Sequence, residues 1–206
     1  MKDAGQSGAP ADNVDWRNLG MLAEEIVSDL LTREVLAPSA ARPPSSPGFY
    51  AWWCREEQLD DAFPSIPKEN RPPVPTAWSL LYVGISPSGP TSSRNIAIRL
   101  AKDHAGGNIG GSTFRQSLAA LLTGSLGLEP RRGSDRSRLV SEVPLSRWIE
   151  SACGVTFATA ERPWEFETDV IAILNPPLNI DCGTHPFRLE VKARRAALRQ
   201  ACGLGA

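Results

Sequence analysis

The chain has 206 residues, 41% of them hydrophobic and 22% charged, with a formal net charge of −1. That size and balance suit one soluble domain with a real core, and they exclude a global positive field, so any nucleic-acid surface must be a local patch. The polar opening MKDAGQSGAPADN is no signal peptide and no run approaches a membrane span. Cys54, Cys153, Cys182 and Cys202 are scattered without a CxxC pair, which argues against a zinc site or disulfide framework and for a reduced, cytoplasmic setting.

Residues 1–13 read as disordered. From Val14 to Leu36, Leu19, Leu22, Ile26, Leu30 and Leu31 recur at helical spacing, with Asn13 or Asp15 as the cap. This helix should lay its apolar stripe on the domain or on a second copy, which makes a homodimer a candidate. The proline-rich APSAARPPSSP completes an N-terminal unit over 14–47. GFYAWW (48–53) is the first predicted strand. Residues 54–78 read as a long loop and WSLLYVGIS (78–86) as the second strand.

A helix is expected over RNIAIRLAKDH (94–104), followed by the glycine-rich link AGGNIGGS. Another is expected over STFRQSLAALL (112–122), with Ser112 or Thr113 as its cap. Residues 125–142 are basic and irregular, with strand character at 138–140. PLSRWIESA (144–152) reads as a short helix with Pro at its start, GVTFATA (154–160) as a third strand, and RPWEFETDVIAIL (162–174) as a helix stopped by NPPLN. A basic helix ends the chain, with Gly203 as its stop. The fold class is α/β (α+β), a small three-stranded, mainly antiparallel sheet flanked by helices. The core domain is placed at 48–181 and the basic C-terminal helix at 182–206; the strand order is not legible.

Only two tyrosines occur, and each sits on a predicted strand, in Gly48-Phe49-Tyr50 and Tyr82-Val83-Gly84. A helix with Arg99 and His104 follows the second. A later helix carries Glu167, and Asn179 lies 12 residues beyond it across a Pro-Pro break. This order of elements resembles the GIY-YIG nuclease superfamily over Gly48 to Asp181. GNIGGSTFRQSLAALL resembles a bacterial subgroup of small GIY-YIG proteins of unassigned role.

The resemblance implies a metal-dependent endonuclease that hydrolyses phosphodiester bonds of DNA, with RNA left open. Glu167 would hold a single Mg²⁺ or Mn²⁺, since one carboxylate suits an ion that keeps most of its waters. Arg99, planar and always charged, suits the phosphate. Tyr50 is the expected general base and Tyr82 the residue that positions water or phosphate, although the sequence alone does not order the two. Asn179 would fix the loop and hydrogen-bond near the site. His104 lies five residues after Arg99, about 140° away around an ideal helix, so it belongs to the site only if the helix is not ideal there.

Arg115, Arg131, Arg132, Arg194 and Arg195 are the candidate nucleic-acid contacts, the last four as parts of two basic segments that could flank the site. Each motif residue has a plainer reading as a core aromatic, a helix-start acid or a solvated charge. The alternatives to an enzyme are a non-catalytic nucleic-acid-binding module that keeps the fold, and an interaction protein working through its N-terminal helix.

Overall fold

A computed structural model describes residues 16–62, 66–133 and 135–205. The segment expected to be disordered, and both candidate caps of the first helix, lie outside the described residues. The first helix, α1, spans Trp16–Thr32. Three strands follow in an antiparallel sheet of order β2-β1-β3: β1 Gly48–Arg55, β2 Trp78–Ser86 and β3 Cys153–Thr159. Helices cover both faces of this sheet, so the central strand β1 is buried from Gly48 to Cys54. A strand buried on both faces reads as a near-continuous apolar run, which is why GFYAWWC shows no alternation.

The long loop expected over 54–78 needs correcting at its start. β1 continues to Arg55, and a short helix, α2, runs over Glu56–Ala62. The helix expected over 94–104 is a single α-turn, α3 (Ile96–Ile98), that passes into a π-helical turn at Arg99–Ala105. Next come α4 (Thr113–Leu122), capped by the Ser112 hydroxyl on the Arg115 amide, and α5 (Val143–Ala152) with Pro in its first turn. The helix expected over 162–174 divides into a 3₁₀ turn at Pro163–Glu165 and α6 (Glu167–Leu174), and α7 (Arg188–Ala201) closes the chain. No helix among the described residues is long and apolar enough to cross a membrane.

Both sheet edges are partly covered, which matters because an unpaired edge invites pairing with another chain. On β3, Leu36 exchanges both backbone hydrogen bonds with Val155. On β2, the Leu80 amide donates to Glu69 O, and the Asn179 side chain takes both polar groups of Val83. The β1–β2 register slips between Trp52 and Trp53, so Trp52 faces Tyr82 while Trp53 faces Leu80. Leu81 is the extra residue of this bulge. Its carbonyl turns outward to accept the Leu178 amide at 3.0 Å, which draws the Pro-Pro segment onto the sheet.

α1 buries Ala23, Ile26, Val27 and Leu30 against its own domain and leaves Leu22 half exposed. The stripe considered for a second copy is therefore occupied by the protein's own sheet.

Candidate active site

The site is built where β1 and β2 pair. Tyr50 stands opposite Gly84, and its ring lies across that glycine. A Cβ at position 84 would collide with the phenol ring and hydroxyl, so glycine is required there by close approach rather than by backbone angle. Next to this pair, Tyr82 faces Trp52 across the strands, and its hydroxyl lies 3.1 Å from Thr113 Oγ1 at the start of α4.

Tyr50 is 1% exposed, and its hydroxyl is shared by two side chains from the π-turn. Arg99 Nε donates to it at 3.3 Å, and His104 Nε2 lies 2.8 Å away. The π-turn explains how both reach it. Its bonds close from residue i to i+5, as in Gly106 N to Ala101 O at 2.9 Å, so a residue five positions on comes back over the first. The 140° separation expected of an ideal helix does not apply, and Arg99 and His104 share a face.

His104 is fully buried within a ring of aromatics. Its ring centroid is 5.1 Å from Tyr50, 5.7 Å from Phe114, 5.9 Å from Trp52 and 6.4 Å from Tyr82. Burial, with Arg99 and Arg115 close by, holds its pKa well below the ordinary value, so the imidazole is neutral. Nδ1 lies 2.6 Å from Ser112 Oγ. Because Arg99 already donates to the Tyr50 oxygen, the consistent tautomer carries its proton on Nδ1 toward Ser112 and leaves Nε2 to accept from the phenol.

Burial pushes the Tyr50 phenol well above its ordinary pKa, and Tyr82 and Glu167 raise it further against the opposing pull of Arg99. Tyr82 is also raised by burial, eased by Thr113 and Arg99. Burial alone would lower Arg99, but its contacts with Tyr50 and Asp103 outweigh that and raise it. Glu167 opens α6, with its charge felt by both phenols. Its own pKa is raised by partial burial and then by Asp181. Asn179 accepts the Val83 N–H at 2.9 Å and donates to Val83 O at 2.8 Å, so it stitches the loop carrying Asp181 to the strand carrying Tyr82.

The basic candidates separate sharply. Arg115 requires correction as a nucleic-acid contact. Its side chain is 0% exposed and is held by Glu142 and Ser146 at 2.9 Å each and by His104 O at 2.9 Å, so it braces the site from behind. Arg131 and Arg132 are exposed on the segment between the bridged residues Pro130 and Leu139. Arg194 faces solvent and pairs with Glu190 at 2.7 Å. Arg195 turns inward to Gln116 of α4, close enough to Asp181 and Tyr82 for both to act on its charge.

A hollow of about 610 Å³ elsewhere, between α1 and the 3₁₀ turn, contains none of these residues. Glu25, Asp29, Glu161 and Glu165 line it with Arg162 as their only basic companion, an arrangement that repels phosphate.

Sequence reasoning missed Ser112, Thr113, Asp103, Gln116 and Asp181. Ser112 and Thr113 were visible only as caps. The others carried no local signal, because their partners lie on other turns or elements. A family model described as the GIY-YIG catalytic domain matches residues 48–201, well over half of the chain and including α7.

The chain belongs to the GIY-YIG family.

No curated protein and no solved structure is matched by the chain. Membership makes this GIY-YIG domain one of a nuclease family, whose members act on nucleic acid and typically depend on a divalent metal.

Proposed function

We propose that this GIY-YIG protein is a metal-dependent endonuclease that hydrolyses phosphodiester bonds of DNA. The observation that carries the reading is the shared Tyr50 hydroxyl, held between the Arg99 guanidinium and a neutral His104. A core tyrosine needs one partner for its hydroxyl, whereas this one has a cation on one side and a proton acceptor on the other.

Glu167 suits a hard divalent ion. Its carboxylate is raised by burial and by Asp181, so it lacks countercharge, and no group of three His, Cys, Asp or Glu surrounds it among the described residues. That donor set fits Mg²⁺ or Mn²⁺ with a largely aqueous shell better than zinc. When bound, the ion would supply positive charge to the phosphoryl and leaving oxygens.

The protein's own groups handle the proton. A phenol raised by burial is not a phenolate at neutral pH, so Tyr50 works as a relay. Its oxygen accepts from the attacking water while its own O–H donates to His104 Nε2, 2.8 Å away. The anionic phosphate arriving beside Arg99 offsets the positive charge that makes imidazolium costly in the free protein. The phenol proton then passes to His104 as the water's proton passes to Tyr50. Ser112 holds the imidazole in the accepting tautomer. Tyr82, fixed by Thr113, orients the water or the phosphate, and Arg99 meets the charge that develops on the phosphoryl oxygens.

The test is supercoiled plasmid incubated with the pure protein and Mg²⁺ or Mn²⁺, beside Glu167→Ala. Nicking or linearisation by the wild type, abolished in the variant, supports the reading. Binding without cleavage in either metal would return the chain to the binding-module alternative.

A further inference from the structure

Arg94 and Asp103 have no role in the chemistry above. Asp103 lies on the π-turn, 15% exposed, and one of its oxygens, Oδ2, receives two guanidinium groups. Arg99 Nη1 donates to it at 3.0 Å, and Arg94 Nη1 makes the second contact from the loop before α3. Two guanidiniums on one oxygen cannot lie far apart. Their summed charge exceeds that of the single carboxylate, so the cluster stays cationic.

The donors can be counted, since a guanidinium has five N–H groups. Arg99 uses its Nε–H on Tyr50, and Nη1 faces Asp103 and, at 3.4 Å, Gly111 O. Its Nη2 group has no partner among the described residues and remains for a phosphate. Arg94 gives only Nη1 to Asp103, and its side chain is 51% exposed. It presents its remaining donors at the surface beside Arg99.

We infer that Asp103 is a positioning residue that holds Arg99 on the reacting phosphate and Arg94 beside it as a second phosphate-binding residue, on a neighbouring phosphate of the same strand. The inference rests on the nuclease reading and deepens it. It also accounts for the ion pairs: without Asp103, two like charges at this spacing would repel, and Arg99 would be fixed by Tyr50 and Gly111 alone.

The test has a binding arm and a rate arm. Binding uses a fluorescein-labelled DNA duplex in EDTA, titrated at several salt concentrations. Rates use single-turnover cleavage of supercoiled plasmid in Mg²⁺. Arg94→Ala should weaken duplex binding and reduce the slope of log K against log salt by about 0.9, the share of one phosphate on B-DNA. Arg33→Ala, just past the end of α1, is the control and should leave the slope alone.

Asp103→Asn separates positioning from simple charge. Removing an acid should by charge alone tighten DNA binding; loss of positioning should instead slow single-turnover cleavage by about 10²-fold. Asp103→Glu should recover part of that rate, and circular dichroism melts should show each variant folded. An unchanged slope in Arg94→Ala, or an unchanged rate in Asp103→Asn, overturns the inference while plasmid cleavage by the wild type still stands. A wild type that binds but does not cut removes the nuclease reading, and the slope of Arg94→Ala then decides the binding half alone.

Discussion

The two faces of the sheet are made from the same three strands and serve opposite ends. On one face, Phe49, Ala51, Trp53, Leu80, Val83 and Ile85 pack against α1 and α6 in an apolar core. The Trp53 Nε1 proton goes to Thr156 Oγ1 at 3.0 Å. On the other face, Tyr50, Trp52 and Tyr82 meet His104 and Phe114; both phenol hydroxyls are tied to the π-turn or the start of α4, while the buried Trp52 Nε1 has no hydrogen-bond partner among the described residues. Strand alternation places adjacent residues on opposite faces, so Phe49 packs under α1 and Tyr50 turns to the candidate site. One strand can therefore serve both: a core on each side, with the candidate site built into one of them.

The largest effects should split cleanly along this line. Trp53→Ala is expected to cost about 3–5 kcal/mol of stability, as for other buried tryptophans, read as a shift in the urea midpoint. Tyr50→Phe should leave the protein folded and lower cleavage by a factor on the order of 10²–10⁴. If Tyr50→Phe instead destabilises as much as Trp53→Ala and cuts at the wild-type rate, the two faces are one core and the division is wrong.

A smaller effect probes the seam between the faces. Asn179→Ala leaves Val83 N–H and C=O without their side-chain partner on the β2 edge, at a cost of about 1–3 kcal/mol. It should also slow cleavage, since the loop toward Asp181 loses its tether. A melting temperature equal to wild type would show that water replaces the amide and that the seam carries no load.

Protonation sharpens the comparison further, because His104 belongs to the site face alone. Its folded pKa lies below the ordinary 6.5, so below that pH the unfolded chain binds more protons than the folded one. Stability from this residue is present above about pH 6.5 and is lost as the pH falls toward the folded pKa, at about 1.4 kcal/mol per pH unit at most. Urea unfolding at pH 7 and pH 5 should show that loss, and His104→Gln should reduce it. An equal pH dependence in the variant would assign the acid sensitivity to other groups.

The smallest contrast lies on α7. Arg194→Ala removes an exposed helix ion pair and should change stability by no more than about 0.5 kcal/mol. Arg195→Ala should weaken DNA binding more than Arg194→Ala does, measured by fluorescence anisotropy. Equal losses would mean that α7 meets DNA as a diffuse basic surface, not through its inward arginine.

The sequence by itself determined the three strands, most of the helices and the order of the chemistry-bearing residues, but not α2 or the breaks in the helices expected over 94–104 and 162–174. The strand at Gly48-Phe49-Tyr50, the strand at Tyr82-Val83-Gly84, the Ser112 cap and the Glu167-to-Asn179 spacing are all local patterns, set by residues close together in the chain. The tertiary structure alone decided the strand order and the bulge at Leu81. It also set the pitch of the turn after Ile98, where i+5 closure brings His104 onto the face of Arg99. Which arginine is buried was equally out of local reach. Arg115 is claimed by Glu142, 27 residues away, and Arg195 by Gln116, 79 residues away. Burial and pairing depend on what packs across the gap, and neither helical periodicity nor a run of basic residues contains that information.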